Sequence, residues 1–330
     1  MIYYLVWRSN LFFESVLKGN AMGKTKKQHY VPRMYIKRFG YGTEDNPRIS
    51  VLKKAEGTVL HNQNPENFAS KRFFYDTTED VIEDVLKRDL EIFTSIKKSR
   101  FYHDEQLTEH TLSRMEGAYK ELLDSIEANP EIIYEDKPRA IFISFVNELA
   151  YRTKSFRDRM DTITSKTEDV LSKMCDNLGL DEDTKRKTIE ENCIPGINIQ
   201  LENILSLGPT LQTMKILLEN YDWFIGYNDT ELDFVISDNP AQTVWCHLND
   251  ICIPISKQIA IVMRVKDDKA PMVSIDKAKD NIIDMSMKGV IAYNMMQISM
   301  AQLYLFGSEK AINFMKSINE LLNVYGKGGE

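Results

Sequence analysis

Lys26-Lys27-Gln28-His29-Tyr30-Val31-Pro32-Arg33-Met34-Tyr35-Ile36-Lys37-Arg38-Phe39 is the stretch on which the reading of this chain turns. It joins an imidazole, two phenols, an amide and a proline to a dense run of cations with no carboxylate among them. Tyr30, Val31, Tyr35, Ile36 and Phe39 supply apolar surface that a free basic arm does not need. Burying such side chains is worth about 1.5–3 kcal/mol each, so the segment is expected inside the fold. The chain as a whole carries a formal net charge of −7. A cationic stretch on an acidic protein attracts anions locally, whereas a generic nucleic-acid coat, which needs a net basic surface, is excluded.

With 330 residues, 43% of them hydrophobic, the chain is long enough to bury a substantial core. Cys175, Cys193, Cys246 and Cys252 form no Cys-x-x-Cys pair, and a chain of this size folds without disulfides, which points to a reducing cytoplasm. Within residues 1–21 the apolar run Met1 to Leu17 is interrupted by Arg8, lacks the frame of a secretory signal and is too short to span a bilayer, so no membrane association is expected. They read either as an extension upstream of a start at Met22 or as a segment docked on the domain. Residues 22–330 then form one domain, with a helical half to about residue 196 and a half of sheet plus long helix over 197–330. Pro195, Gly196, Gly208 and Pro209 mark the joint between them.

Downstream of the opening stretch, Ile49 to Lys53 and Val59-Leu60 read as a hairpin turned by Ala55-Glu56-Gly57-Thr58, and Arg72 to Tyr75 as a further strand. Asp76 and Glu79 suggest a capping box before Val81, Val85, Leu86, Leu90, Phe93 and Ile96 at helical spacing. A second helix runs from about Leu107 to Ala128, stopped by Asn129-Pro130. A third runs from Pro138 past Met160, with Glu148 and Arg152 at the edge of its apolar stripe. Residues 161–192 are charged and read as exposed helices, followed by a helix over Leu211 to Leu218. Asp222 to Tyr227 and Leu232 to Ile236 are expected to pair around Asn228-Asp229-Thr230, Ile251 to Ile255 and Ile259 to Val265 add strands, and Ser274 to Phe306 is expected to be helical. Strands in two groups separated by helical blocks define an α+β fold, helix-dominated, with long helices packed around a mostly antiparallel sheet.

Three stretches resemble the domain-of-unknown-function 4238 family. They are Gln28 to Phe39, the helix Phe145 to Arg152 with its Arg152-Thr153 dipeptide, and Trp223 through Ser237-Asp238-Asn239-Pro240 to Pro254-Ile255-Ser256. Together they span most of Met22 to Gly307, and Phe74-Tyr75 and Ile82-Glu83 resemble further family positions. Met34 stands where the family pattern has a bulky aromatic, and residues 161–192 have no counterpart in it. The family name carries no reaction.

Each polar position has a structural reading beside a chemical one. His29 suits a hydrogen bond to a backbone carbonyl as well as proton transfer. Asp238 and Asn239 suit a turn as well as a carboxylate in a cleft, Glu148 and Arg152 a surface ion pair, and Asn294 a core amide. No phosphate loop, dinucleotide fingerprint or Gly-x-Ser-x-Gly elbow is present, and Cys246-His247 with Cys252 fits no common zinc site.

The chemical reading brings these positions together. His29 acts as a general base oriented by Asp238 and supported by Gln28, while Lys27, Arg33, Arg152, Asn239 and Asn294 hold phosphate. A divalent ion on Asp238 and Glu83 is the cofactor this arrangement allows. It implies a nuclease or related phosphodiesterase, metal-dependent or not, acting as a defence or toxin effector on nucleic acid or nucleotide. The alternative is a non-catalytic module gripping nucleic acid, another anion or a protein. Lys26, Arg33 and Lys37 exposed along a surface favour binding; His29, Arg152 and Asp238 gathered in one concavity favour catalysis.

Overall fold

In the computed structural model the structure describes residues 23–87, 103–241, 250–266 and 281–326. The expectations for residues 1–21, for Leu90, Phe93 and Ile96, and for Cys246-His247 lie outside these. The chain opens with β1 (Lys27–His29), the short α1 (Arg33–Lys37), β2 (Tyr41–Gly42), the hairpin β3 (Pro47–Lys53) and β4 (Thr58–Gln63), and β5 (Ser70–Arg72). Then come α2 (Glu79–Leu86), α3 (Leu107–Ala128), α4 (Asp136–Tyr151), α5 (Lys154–Asn177), α6 (Glu182–Asn192), α7 (Gly196–Leu205) and α8 (Leu207–Asn220). The last part holds β6 (Tyr221–Tyr227), β7 (Ile236–Ser237), β8 (Asp250–Pro254), β9 (Ile259–Val265), β10 (Ile282–Asp284), α9 (Met287–Met300), β11 (Tyr304–Gly307) and α10 (Glu309–Gly326). Helix outweighs strand, 55% to 19%, and the fold is α+β.

Strand pairing binds the two ends of the chain together. β11 lies between β3 and β7, with Leu305 opposite Leu52 and Phe306 opposite Val51, so the N-terminal hairpin and the C-terminal strands share one sheet. A second sheet runs in the order β10-β6-β9-β8, antiparallel except for β10 on β6. β1 and β5 form a separate two-stranded antiparallel ribbon. α4 fits against these layers because Phe142, Phe145, Val146 and Leu149 recur at helical spacing and are fully buried. α5 and α6, by contrast, are mostly exposed, as their charge suggests.

Four expectations are corrected. Leu232 to Ile236 does not pair with β6: Asn228 donates to the carbonyl of Leu232 (2.8 Å) and accepts from Thr230 N (3.0 Å), which makes a wide loop, and the longer apolar β9 takes the place beside β6. The helix from Pro138 past Met160 breaks at Arg152, where Thr153 caps α5 by accepting from Phe156 N at 3.2 Å. The expected helix through Phe306 ends at Met300, and Tyr304–Gly307 is strand. Asp76 caps nothing; its carboxylate is held by Gln28 and Gln106.

Candidate functional site

The opening stretch is internal, with Tyr30, Val31, Tyr35, Ile36 and Phe39 buried. It lies along α3 and is tied to it at successive levels. Thr25 N donates to Gln106 Oε1 (2.7 Å), and Lys24 pairs with Glu105 (3.0 Å). At the other end Arg38 reaches Asp124 (2.6 Å), the carbonyl of Leu123 (3.0 Å) and Glu127. Tyr35 Oη donates to the carbonyl of Pro254 (2.6 Å) and Arg38 Nε to that of Ile255 (2.9 Å), which fastens α1 to the second sheet. Gln28 is a buried structural bridge: its Nε2 donates to Asp76 (2.5 Å) and its Oε1 accepts from Tyr75 N (2.6 Å).

Behind this stretch sits a buried ionic cluster. Arg152 is 1% exposed and donates to Glu148 (2.8 Å), Glu116 (2.9 Å) and the carbonyl of His29 (2.6 Å). Burial alone would lower its pKa, but Glu116, Tyr75, Glu148 and Glu109 together hold it above the ordinary arginine value. It is therefore a structural cation and not a free phosphate ligand, which corrects its expected role. Glu109, on the same face of α3 as Glu116, has its pKa pushed up to about 7, chiefly by burial, with Glu116 and Asp76 adding repulsion against the pull of Arg152.

The Ser237-Asp238-Asn239-Pro240 loop is fully tied. Asp238, 1% exposed, accepts from Gln302 N (2.8 Å) on one oxygen and from Leu303 N (2.9 Å) on the other, which fixes the turn between α9 and β11. Burial pushes its pKa up to about 6, against the pull of those amides. Asn239 donates to Ser155 Oγ (3.3 Å) and the carbonyl of Met300 (3.1 Å). Asn294 accepts from Val235 N (3.0 Å) and donates to the carbonyl of Asp233 (2.9 Å). The expected phosphate contacts of Asn239 and Asn294 are thus replaced by bonds that hold the loop.

The His29–Asp238 pair is not formed. His29 Nε2 lies 3.0 Å from the carbonyl of Glu66, and burial lowers the ring's pKa, so the neutral imidazole donates to backbone. Arg33 reaches the carboxylate of the same Glu66 at 3.0 Å. Glu83 lies on α2, which packs against α7, while both Asp238 oxygens serve the turn, so the two do not make an ion site. Among the described residues no group of three or more His, Cys, Asp or Glu is arranged to hold a metal.

The exposed residues of the β1–β5 ribbon are cationic. On the β1–β5 ribbon Lys27 stands directly opposite Arg72 and Gln28 opposite Lys71. Lys26, Lys27, Lys71 and Arg72 are exposed, and among the described residues none is in an ion pair with a carboxylate, although Lys71 acts electrostatically on Asp158. Phe73 lies under Lys24 (5.3 Å) and Arg72 (5.0 Å), and Phe74 under Lys71 (5.8 Å), so the rings help to fix the cations. Lys71 and Arg72 were missed in the sequence because their place opposite the basic stretch depends on a long-range pairing; their position before three aromatics was the available signal. Further along, Arg33, Met34, Lys37, Tyr41, Glu116 and Lys120 line a groove of about 590 Å³.

Residues 27–311 match the family model described as a protein of unknown function, DUF4238. The chain belongs to this family. No curated protein and no solved structure matches it. No described helix is long and apolar enough to cross a membrane.

Proposed function

We propose that the chain binds the phosphate backbone of a nucleic acid on the β1–β5 ribbon. The observation that carries this reading is Lys27 facing Arg72. Like charges directly opposite across a ladder destabilise it, and among the described residues neither forms an ion pair with a carboxylate, so a bound polyanion relieves the repulsion. Anisotropy of a labelled single-stranded oligonucleotide across a salt series tests it. The double variant Lys27→Gln/Arg72→Gln should bind more weakly, with a log–log salt slope shallower by about 1.4 for two lost phosphate contacts. Equal affinity and slope in both proteins would refute the reading.

A second reading, cleavage of the bound strand by a nuclease or phosphodiesterase, is favoured by one observation, the half-buried Glu109 carboxylate poised near neutral pH beside Arg152. In this reading Glu109, not His29, accepts the proton, and the chain acts as a defence or toxin effector in the cytoplasm, where the buried free thiols Cys175, Cys193 and Cys252 stay reduced. Glu109→Gln should then abolish cleavage while leaving oligonucleotide affinity intact; cleavage that survives the substitution removes Glu109 from the chemistry. Parallel reactions with and without a chelator read any dependence on a divalent ion.

A further inference from the structure

Helix α5 packs on the body of the protein through Phe156 and Met160 and then carries a row of apolar side chains into solvent. Ile163, Val170, Met174 and Leu178 are 50%, 56%, 52% and 72% exposed. With the exposed Thr167 they follow one another at intervals of four, three, four and four residues, which gathers them into a single stripe with the four-and-three spacing of a coiled-coil seam. Single apolar residues on a surface are ordinary, whereas a contiguous row of them marks an interaction site.

The two flanks of the stripe differ. On one, Lys166 and Lys173 are exposed and, among the described residues, in no ion pair. The other turns toward α6: Thr164 and Leu171 are half-buried, and Thr164 Oγ1 donates to the carbonyl of Ile194 at 2.7 Å. Lys185 meets Asp176 at 2.6 Å, so α6 runs back along α5. Among the carboxylates of α6, Asp183 pairs with Arg186 at 3.0 Å and Glu190 lies 4.0 Å from the same guanidinium. Glu182 and Glu191 are exposed and, among the described residues, in no ion pair, although Glu182 acts electrostatically on Lys185.

We propose that a second copy of this chain covers the stripe, with the two α5 helices packed in parallel about a twofold axis. The contact is self-complementary, since parallel register sets Ile163, Thr167, Val170 and Met174 each against the same residue of the second copy. Charge selects the direction. Parallel helices bring the flank of Lys166 and Lys173 to the opposite flank of the second copy, where α6 carries Glu182 and Glu191, whereas antiparallel helices would bring Lys166 to Lys173 of the second copy. The area fits a weak dimer. Ile163 to Leu178 runs about 24 Å, and half the circumference of a helix roughly 12 Å across is about 19 Å, so each copy offers on the order of 450 Å². The total of about 900 Å² stands at the low end of specific interfaces, and the dimer should dissociate on dilution. The inference is independent of the nucleic-acid reading above.

Sedimentation velocity over roughly 1–200 µM spans the dissociation constants expected of so small an interface. The wild-type chain should pass from monomer to dimer across that range. Val170→Asp alters an exposed residue, so the melting temperature of the dilute protein should not change, while association should weaken roughly tenfold or more. If that melting temperature falls, Lys166→Glu/Lys173→Glu takes its place, with the same weakening expected. Ile163→Cys reads the direction. Under mild oxidation the parallel seam should join two variant chains through a disulfide that the wild type does not form, whereas antiparallel pairing holds the two thiols about 16 Å apart, beyond the reach of a disulfide. A chain that stays monomeric at every concentration, a dimer equally strong in the seam variant, or one that Ile163→Cys does not cross-link overturns the inference.

Discussion

Arg152→Met removes the cation around which Glu116, Glu148 and Glu109 are placed. The lost contacts are two charge-assisted bonds, at 2.8 and 2.9 Å, and one to the carbonyl of His29 at 2.6 Å. Methionine fills much of the volume, but Glu148 stays buried without its counter-ion. Breaking a buried pair from one side costs about 3–5 kcal/mol; because Glu116 is 26% exposed and keeps some hydration, the lower half of that range is expected. In a chain of this length that corresponds to a melting temperature lower by roughly 4–6 °C. The loss should also depend on pH. Without Arg152 the pull that holds down the already raised Glu109 pKa is lost, so that pKa rises further above its unfolded value and stability is recovered as pH falls through it. Chemical denaturation at pH 5 and pH 8 measures both effects, and the deficit should be smaller at pH 5. A loss below about 1 kcal/mol, or one that is the same at both pH values, would refute the assignment of Arg152 as the buried keystone of the cluster.

Glu109→Gln should flatten the pH dependence of stability between pH 5 and 8. The Glu109 carboxylate titrates near 7 in the fold against about 4.3 unfolded, so its stabilising contribution is full below the unfolded value and is lost as pH rises through 7. The variant should gain about 1–3 kcal/mol at pH 8, and an unchanged slope would count against the shift. Asn294→Leu leaves Val235 N and the carbonyl of Asp233 without their partner and should cost about 2–4 kcal/mol by urea denaturation. Gly196→Ala places a methyl 2.8 Å from Asp161 N and 2.2 Å from its Oδ1, and should destabilise by about 1–3 kcal/mol, detected as a lower melting temperature.

The parts of the fold legible in sequence were those whose signal is local. The Phe142-Val146-Leu149 stripe, the stop at Asn129-Pro130 and the hairpin at Gly57 follow from periodicity and turn chemistry, and the burial of Tyr35 and Phe39 follows from their apolar surface. The partner of β6 was not legible, because β9 and Leu232 to Ile236 are both apolar and only the Asn228 loop geometry separates them. The site divided along the same line. Asn294 was readable as a core amide from its place in an apolar stripe, whereas the roles of Asp238 and His29 depend on backbone groups, those of residues 302–303 and Glu66, that no side-chain pattern announces. Glu109 escaped notice because its chemistry arises from burial beside Arg152 and from nothing in its own neighbourhood along the chain.

The bond from Arg38 to the carbonyl of Ile255 spans 217 positions. At roughly 5–20 residues per second the ribosome reaches Ile255 on the order of 10–40 s after Arg38 is made. Throughout that interval Val31, Tyr35, Ile36 and Phe39 have no second sheet to close over them. A segment made long before its partner strand thus waits to be covered, and during synthesis it presents an apolar face bordered by cations to whatever chaperone or acidic surface lies at the tunnel exit.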